Sequence, residues 1–144
     1  MIGNSWRQAS FADLARYLEY GTSDEEPERV AWWERRNVAA ESIAGAAVEM
    51  ARDARLNDVV RRPAYHLEIT FPPADRPSRS MLVRVADRTL ADLGLCEHQG
   101  IIVAHQDKRH PHFHCMVNLV HPWTHRVWDA RRDHVRIETS LRVQ

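Results

Sequence analysis

Residues 100–120 contain two apolar segments separated by a short polar stretch. Gly100–His105 and His112–Val120 have the alternating, partly β-branched composition of strands, whereas Asp107–Pro111 has the composition of a turn. Two strands joined by so short a turn pair in the antiparallel direction. This segment therefore predicts a β-hairpin, which indicates that the fold contains an antiparallel β-sheet.

The hairpin also concentrates histidines on one face. Side chains alternate along a strand, so His112, His114, Met116 and Asn118 share a face, and the two imidazoles are about 7 Å apart at the backbone. Cross-strand pairing brings His105 beside them. Three convergent imidazoles with open coordination positions predict a catalytic metal site, for which Zn, Mn, Ni or Co suit the ligand type. A group of solvated surface histidines is the alternative interpretation.

Three further polar residues of the hairpin are candidates for supporting roles. Asp107 could orient the His105 imidazole or accept a proton from a nucleophile, while also holding the turn. His110 precedes Pro111 in the turn, so we expect it to contact solvent or substrate rather than metal. Asn118 could support the metal ligands from the same strand face, and an ordinary buried strand amide is an equal alternative.

The rest of the chain supplies helices and one further strand. Capping residues and apolar periodicity predict helices over 10–20, 37–56 and 78–93, and a period of two predicts a strand over 65–71. An acidic loop occupies 24–28, and 129–144 is a candidate helix without a cap. The order of these elements predicts an α+β fold with a mainly antiparallel β-sheet flanked by helices.

Length and charge limit the function classes. A chain of 144 residues predicts a single domain, and no apolar run approaches the roughly 20 residues of a membrane span. Residues 1–8 lack the apolar core of a signal peptide, so we expect a cytoplasmic protein. Twenty basic and twenty acidic residues argue against binding nucleic acid by bulk charge, although local arginine patches remain available. Two cysteines are too few for a disulfide framework.

The hairpin resembles a motif of a known enzyme family. HQDKRHPHFHCMVN matches the pattern HxDxxHPHxHxxxN of mobilisation-type conjugative relaxases, the HUH endonucleases that include the border-nicking nuclease of T-DNA transfer. SFADLARYLEYG resembles the family's amino-terminal motif, and RVAWWERRNV and AYHLEITF resemble its connecting stretches. The resemblance covers about residues 8–128 and implies an HUH-endonuclease-like fold.

The resemblance implies an activity and a nucleophile. A tyrosine of the first helix would nick single-stranded DNA at an origin of transfer, with Mg or Mn as the metal in use, leaving a 5′-phosphotyrosine link and a free 3′-OH. That residue is Tyr17, which borders the apolar stripe of its helix, whereas Tyr20 lies nearly opposite. His66 or Glu68 would accept a proton from Tyr17 or orient it; a solvated strand face is the alternative.

The DNA contacts and the extent of the enzyme are further expectations. Candidate DNA-binding cations are Arg35, Arg36, Arg61, Arg62, Lys108, Arg109 and Arg126. Accessory relaxosome proteins are candidate partners. Residues 1–144 would form one catalytic domain, and the alternatives are an excised domain truncated at its C-terminus, a minimal relaxase and a degenerate remnant. The alternatives are a metal-dependent phosphoesterase or replication-initiator-like nuclease, and a non-catalytic DNA-binding module of a mobilisation complex.

Overall fold

The computed structural model describes residues 1–22 and 28–144, which form five strands and four helices. The acidic loop expected over 24–28 lies, apart from Glu28, outside the described residues. In chain order the elements are β1 (Ile2–Gln8), α1 (Phe11–Tyr20), β2 (Val30–Arg36), α2 (Ile43–Ala54), β3 (Ala64–Thr70), α3 (Arg79–Leu93), β4 (Gly100–His105), β5 (His112–Asn118) and α4 (Asp133–Arg142).

The five strands form one antiparallel sheet in the order β1-β3-β5-β4-β2. The predicted hairpin is its centre, because β4 and β5 pair from Gly100 opposite Val117 to His105 opposite His112. The α+β architecture with a mainly antiparallel sheet is confirmed.

Each face of the sheet carries its own apolar layer. Phe113, Cys115 and Val117 of β5 point to the face covered by α3 and α4. Met116 points to the opposite face, where it packs with residues of α1 and α2. The alternation predicted for β5 is therefore observed, and it sends the histidines to the face that carries α1.

Serine caps explain where three helices begin. The side chains of Ser10, Ser42 and Ser78 each accept a hydrogen bond from the backbone N–H three residues later. Helix α4 has no side-chain cap, as its sequence predicts, and Arg132 before it adopts a left-handed conformation with φ of 56°. No helix among the described residues is long and apolar enough to cross a bilayer.

Neither edge strand, β1 or β2, is predicted by the sequence patterns. The sequence patterns predict no element for residues 1–8 and place Val30–Arg36 in a connecting stretch. The helix predicted to begin at 37 begins at Ile43. An edge strand pairs on one side only and is partly exposed on both faces, so its apolar residues lack a clean period of two. A register shift between Val30 and Trp32 disturbs the pattern of β2 further.

Candidate metal centre and nucleophile

Three histidines meet on the α1 side of the central hairpin. His105 and His112 are directly opposite each other in the β4–β5 register, and His114 follows two residues later on the same face. Each offers one nitrogen within 4.8 Å of the others. All three side chains are at most 6% exposed. The convergence predicted from the alternation of the hairpin is present.

The hydrogen bonds of His112 and His114 leave one nitrogen of each available. His112 Nδ1–H donates to the His110 carbonyl at 3.1 Å, and His114 Nδ1 is 2.8 Å from His66 Nε2. The two Nε2 atoms are buried and have no hydrogen-bond partner among the described residues. Such partners on the second nitrogen are typical of metal-ligating histidines, because they fix the ring and its tautomer. These two residues fit a divalent metal as they stand.

His105 uses both of its ring nitrogens within the protein. Its Nε2–H donates to the Leu18 carbonyl at 2.7 Å, and its Nδ1 lies 3.2 Å from Nη2 of Arg29. His105 must therefore exchange one of these bonds to become the third ligand. Because Leu18 follows Tyr17 in α1, the same bond holds the candidate nucleophile helix against the metal centre.

Burial keeps these imidazoles neutral at pH 7. Desolvation lowers the pKa of His66 to about 4, and desolvation together with the charge of Arg29 lowers the pKa of His105 to about 4. Burial also lowers the pKa of His112 and of His114. A neutral imidazole needs no deprotonation before it binds a metal, so the site is ready for an ion at neutral pH.

Tyr17 lies beside the histidine cluster on the half-buried side of α1. Its ring is edge-on to the His66 ring, with 5.9 Å between centroids. Tyr20 is 39% exposed on the other side of the helix. The choice of Tyr17 over Tyr20 from the helical wheel therefore agrees with their positions.

Arg29 is a member of the site that the sequence did not single out. Its side chain is 6% exposed, lies 3.3 Å from Asp107 Oδ2 and donates to the Tyr17 carbonyl at 3.2 Å. The guanidinium carbon is 5.4 Å from the centre of the Tyr17 ring. A single arginine before an edge strand has no sequence signal, since only the folded chain brings it between α1 and the β4–β5 turn.

The other predicted residues of the turn and of β3 lie around the centre. Asp107 Oδ1 is 3.4 Å from His112 Nε2, and Glu68, opposite His114 in the sheet register, is 3.9 Å from Lys108 Nζ. The ring centroids of His110 and His112 are 5.6 Å apart. The His110 carbonyl accepts the hydrogen bond from His112 Nδ1–H.

Asn118 lies at the far end of β5, about 20 Å from His112 by strand rise. Its amide donates to the Met50 carbonyl and to Gln99 Oε1, while its Oδ1 accepts from the Val120 N–H. Among the described residues it has no hydrogen bond to any of the three histidines. Of its two expected roles, the contacts are those of the buried strand amide, which fastens α2 to the sheet.

The candidate DNA-binding cations divide into two groups. Lys108 and Arg109 are in the turn between His105 and His112. The other five are at the Asn118 end of the sheet or beyond it, and Arg36 is paired with Asp87 and Glu34. These five are Arg35, Arg36, Arg61, Arg62 and Arg126. The structure thus gathers only the turn cations beside the histidines.

Comparison with known proteins shows the family of the chain. The family model described as the MobA/VirD2-like nuclease domain of relaxases matches residues 17–143. The chain belongs to this family. The matched region contains Tyr17 and all three histidines.

Two relatives extend the comparison. Protein TraI of Escherichia coli is 28% identical over 133 residues, which are 89% of this chain and 17% of TraI. The chain therefore spans about a sixth of the length of this curated relative. A solved structure described as "Molecular Basis of Vancomycin Resistance Transfer in Staphylococcus aureus" has a TM-score of 0.56 at 12% identity, covering 92% of this chain and 78% of that one. The similarity to this solved structure shows a shared fold alone, because the sequence identity is 12%.

Proposed function

We propose that this relaxase domain nicks single-stranded DNA at an origin of transfer, with Tyr17 as the nucleophile and His105, His112 and His114 as metal ligands. The observation that carries the proposal is the pair of buried Nε2 atoms of His112 and His114, which have no hydrogen-bond partner among the described residues, next to the helix that carries Tyr17. Accessory proteins of a relaxosome are proposed partners.

The proposed reaction exchanges one ester bond for another. Tyr17 Oη gives up its proton and bonds to the phosphorus as the bond from phosphorus to the 3′ oxygen breaks. The 3′ oxygen takes up a proton, so the products are a 5′-phosphotyrosine and a 3′-OH. A divalent ion, Mg or Mn by family and Zn, Ni or Co by ligand type, would polarise a phosphate oxygen and stabilise the charge that develops there. Three neutral ligands leave the full ionic charge for this task.

His66 is better suited to orient groups than to accept the phenol proton. When His114 binds through Nε2, its Nδ1–H donates to His66 Nε2, so a neutral His66 carries its own proton on Nδ1. His66 Nδ1 is then a hydrogen-bond donor and not a proton acceptor. This supports an orienting role toward Tyr17 or the phosphate.

Asp107 is the proposed proton acceptor. It is held by Arg29, the same side chain that contacts the ring and the carbonyl of Tyr17. Arg29 thus contacts both Tyr17 and Asp107, and its charge would stabilise an incoming phosphate. Glu68, which lies near Lys108, is the alternative acceptor.

The test is a covalent adduct between the protein and labelled single-stranded DNA pools. With divalent metal we expect an adduct that survives denaturing electrophoresis, lost in Tyr17→Phe and kept in the matched control Tyr20→Phe. His112→Ala should lose both metal affinity and adduct. An adduct from Tyr17→Phe would refute the nucleophile assignment.

The same assay separates the alternatives. Cleavage without an adduct would indicate a metal-dependent phosphoesterase or a replication-initiator-like nuclease that uses water. DNA binding with neither product would indicate a non-catalytic module of a mobilisation complex. Unchanged metal affinity in His112→Ala would refute the ligand assignment.

A further inference from the structure

The face of the sheet that carries the metal centre is covered unevenly. The apolar layer of α1 and α2 packs on β4, β5 and the Ala64 end of β3. Among the described residues no member of edge strand β1 belongs to that layer. On this face of β1, Ile2 is 67% and Trp6 48% exposed. A polar and aromatic surface therefore extends from the metal centre to the edge of the sheet.

Trp6 lies where this open surface meets the metal centre. It is directly opposite His66 in the β1–β3 register, and their ring centroids are 5.0 Å apart. On its other side His66 contacts the Tyr17 ring and bonds His114. The ring of His66 thus separates the half-exposed Trp6 indole from both Tyr17 and His114.

The position of Trp6 is not explained by packing in the core. It belongs to neither of the two buried apolar clusters. Its neighbour along the same face of β1 is exposed Asn4, which is opposite Glu68, which in turn is opposite His114. The open surface is thus continuous with the place where the scissile phosphate must sit, and it combines an aromatic plane with groups that form hydrogen bonds.

We propose that Trp6 is a stacking platform for a nucleobase next to the scissile phosphate of single-stranded DNA. The inference rests on the proposed function, because it takes its ligand from it. Bases of single strands stack on exposed aromatic side chains, and every base offers such a face, so the contact adds affinity with little sequence preference. Loss of one such contact weakens binding by about 5- to 150-fold.

The experiment compares three variants of the full chain with the unchanged protein. Anisotropy of a fluorescein-labelled, mixed-sequence single-stranded oligonucleotide gives the dissociation constant. Trp6→Leu keeps apolar bulk on the strand without a π face, so we expect a dissociation constant about 5- to 150-fold higher. Trp6→Phe should recover most of the affinity. Trp123→Ala, at a 71% exposed tryptophan beyond the Asn118 end of β5, should bind within about twofold of the unchanged protein.

Each outcome decides one point. A Trp6→Leu variant that binds as well as the unchanged protein overturns the platform, as does a Trp6→Phe variant as weak as Trp6→Leu. The adduct assay, run on the unchanged protein with the same DNA, tests nicking separately. An adduct with binding independent of Trp6 refutes the platform and leaves the proposed function intact, whereas binding that depends on Trp6 without any adduct refutes nicking and leaves the platform.

Discussion

Acid should destabilise the metal-free fold through its buried histidines. His66 and His105 have pKa values of about 4 in the folded chain, against about 6.5 for an ordinary histidine. Because the pKa is lowered by folding, the unfolded chain binds protons first as the pH falls. The stability is therefore complete above about pH 6.5 and is lost progressively toward pH 4.

The magnitude follows from linkage. Between pH 7 and pH 5, one histidine whose pKa falls from about 6.5 to about 4 costs about 2 kcal/mol of unfolding free energy. His66 and His105 would together cost about 4 kcal/mol if they titrated independently. Both lie near His114, so protonation of one disfavours protonation of the other in the folded chain. Because the unfolded chain still takes up both protons, this coupling does not reduce the loss, and we expect about 4 kcal/mol.

Urea unfolding with a chelator at pH 7 and pH 5 measures this loss. His66→Gln should be less stable at pH 7, because it loses the bond to His114, but its stability should fall with pH by about 2 kcal/mol less than that of the unchanged protein. His134→Gln is the matched control, since His134 is 78% exposed. Equal pH dependence in His66→Gln and the unchanged protein would show that burial does not hold His66 neutral.

Two other changes separate catalysis from stability. Arg29→Lys keeps the charge but loses the planar guanidinium that joins Asp107, His105 and Tyr17, so we expect adduct formation to slow about tenfold or more. Arg88→Lys, measured in the same time course, is the control whose rate should not change. An unchanged rate in Arg29→Lys would remove Arg29 from the mechanism. Asn118→Ala should lower the unfolding free energy, measured with urea, by about 3 kcal/mol, because Asn118 bonds to Met50, Gln99 and Val120. Its metal affinity, measured by calorimetry, should stay unchanged. A large loss of metal affinity in the folded variant would contradict this.

The centre of the fold could be predicted because local patterns there agree with the tertiary structure. Both hairpin strands are buried on both faces, yet the alternation of His112, Phe113 and His114 still assigned each residue to its face. Helix α1 was predictable from the Ser10 cap and its apolar stripe. From those elements followed the convergence of the histidines and the side of α1 that faces them.

The edges and the connections of the site could not be predicted in this way. Strands β1 and β2 each pair with one neighbour, so burial leaves little trace in their sequences. Arg29 enters the site through contacts with residues 12 and 76 positions away, and such long-range pairs have no local signature. Asn118 shares a strand face with His112, but its partners Met50 and Gln99 are 68 and 19 positions away, so its structural role has no local signature either.

The most direct test of the account is to identify the residue that carries DNA after the reaction. Trypsin would release residues 17–29 as one peptide, which contains both Tyr17 and Tyr20, so fragmentation in the mass spectrometer must separate the two. The account predicts nucleotides joined through a 5′-phosphate to Tyr17, formed only with divalent metal. Nucleotides on Tyr20 or elsewhere, or cleaved DNA without any modified peptide, would contradict it.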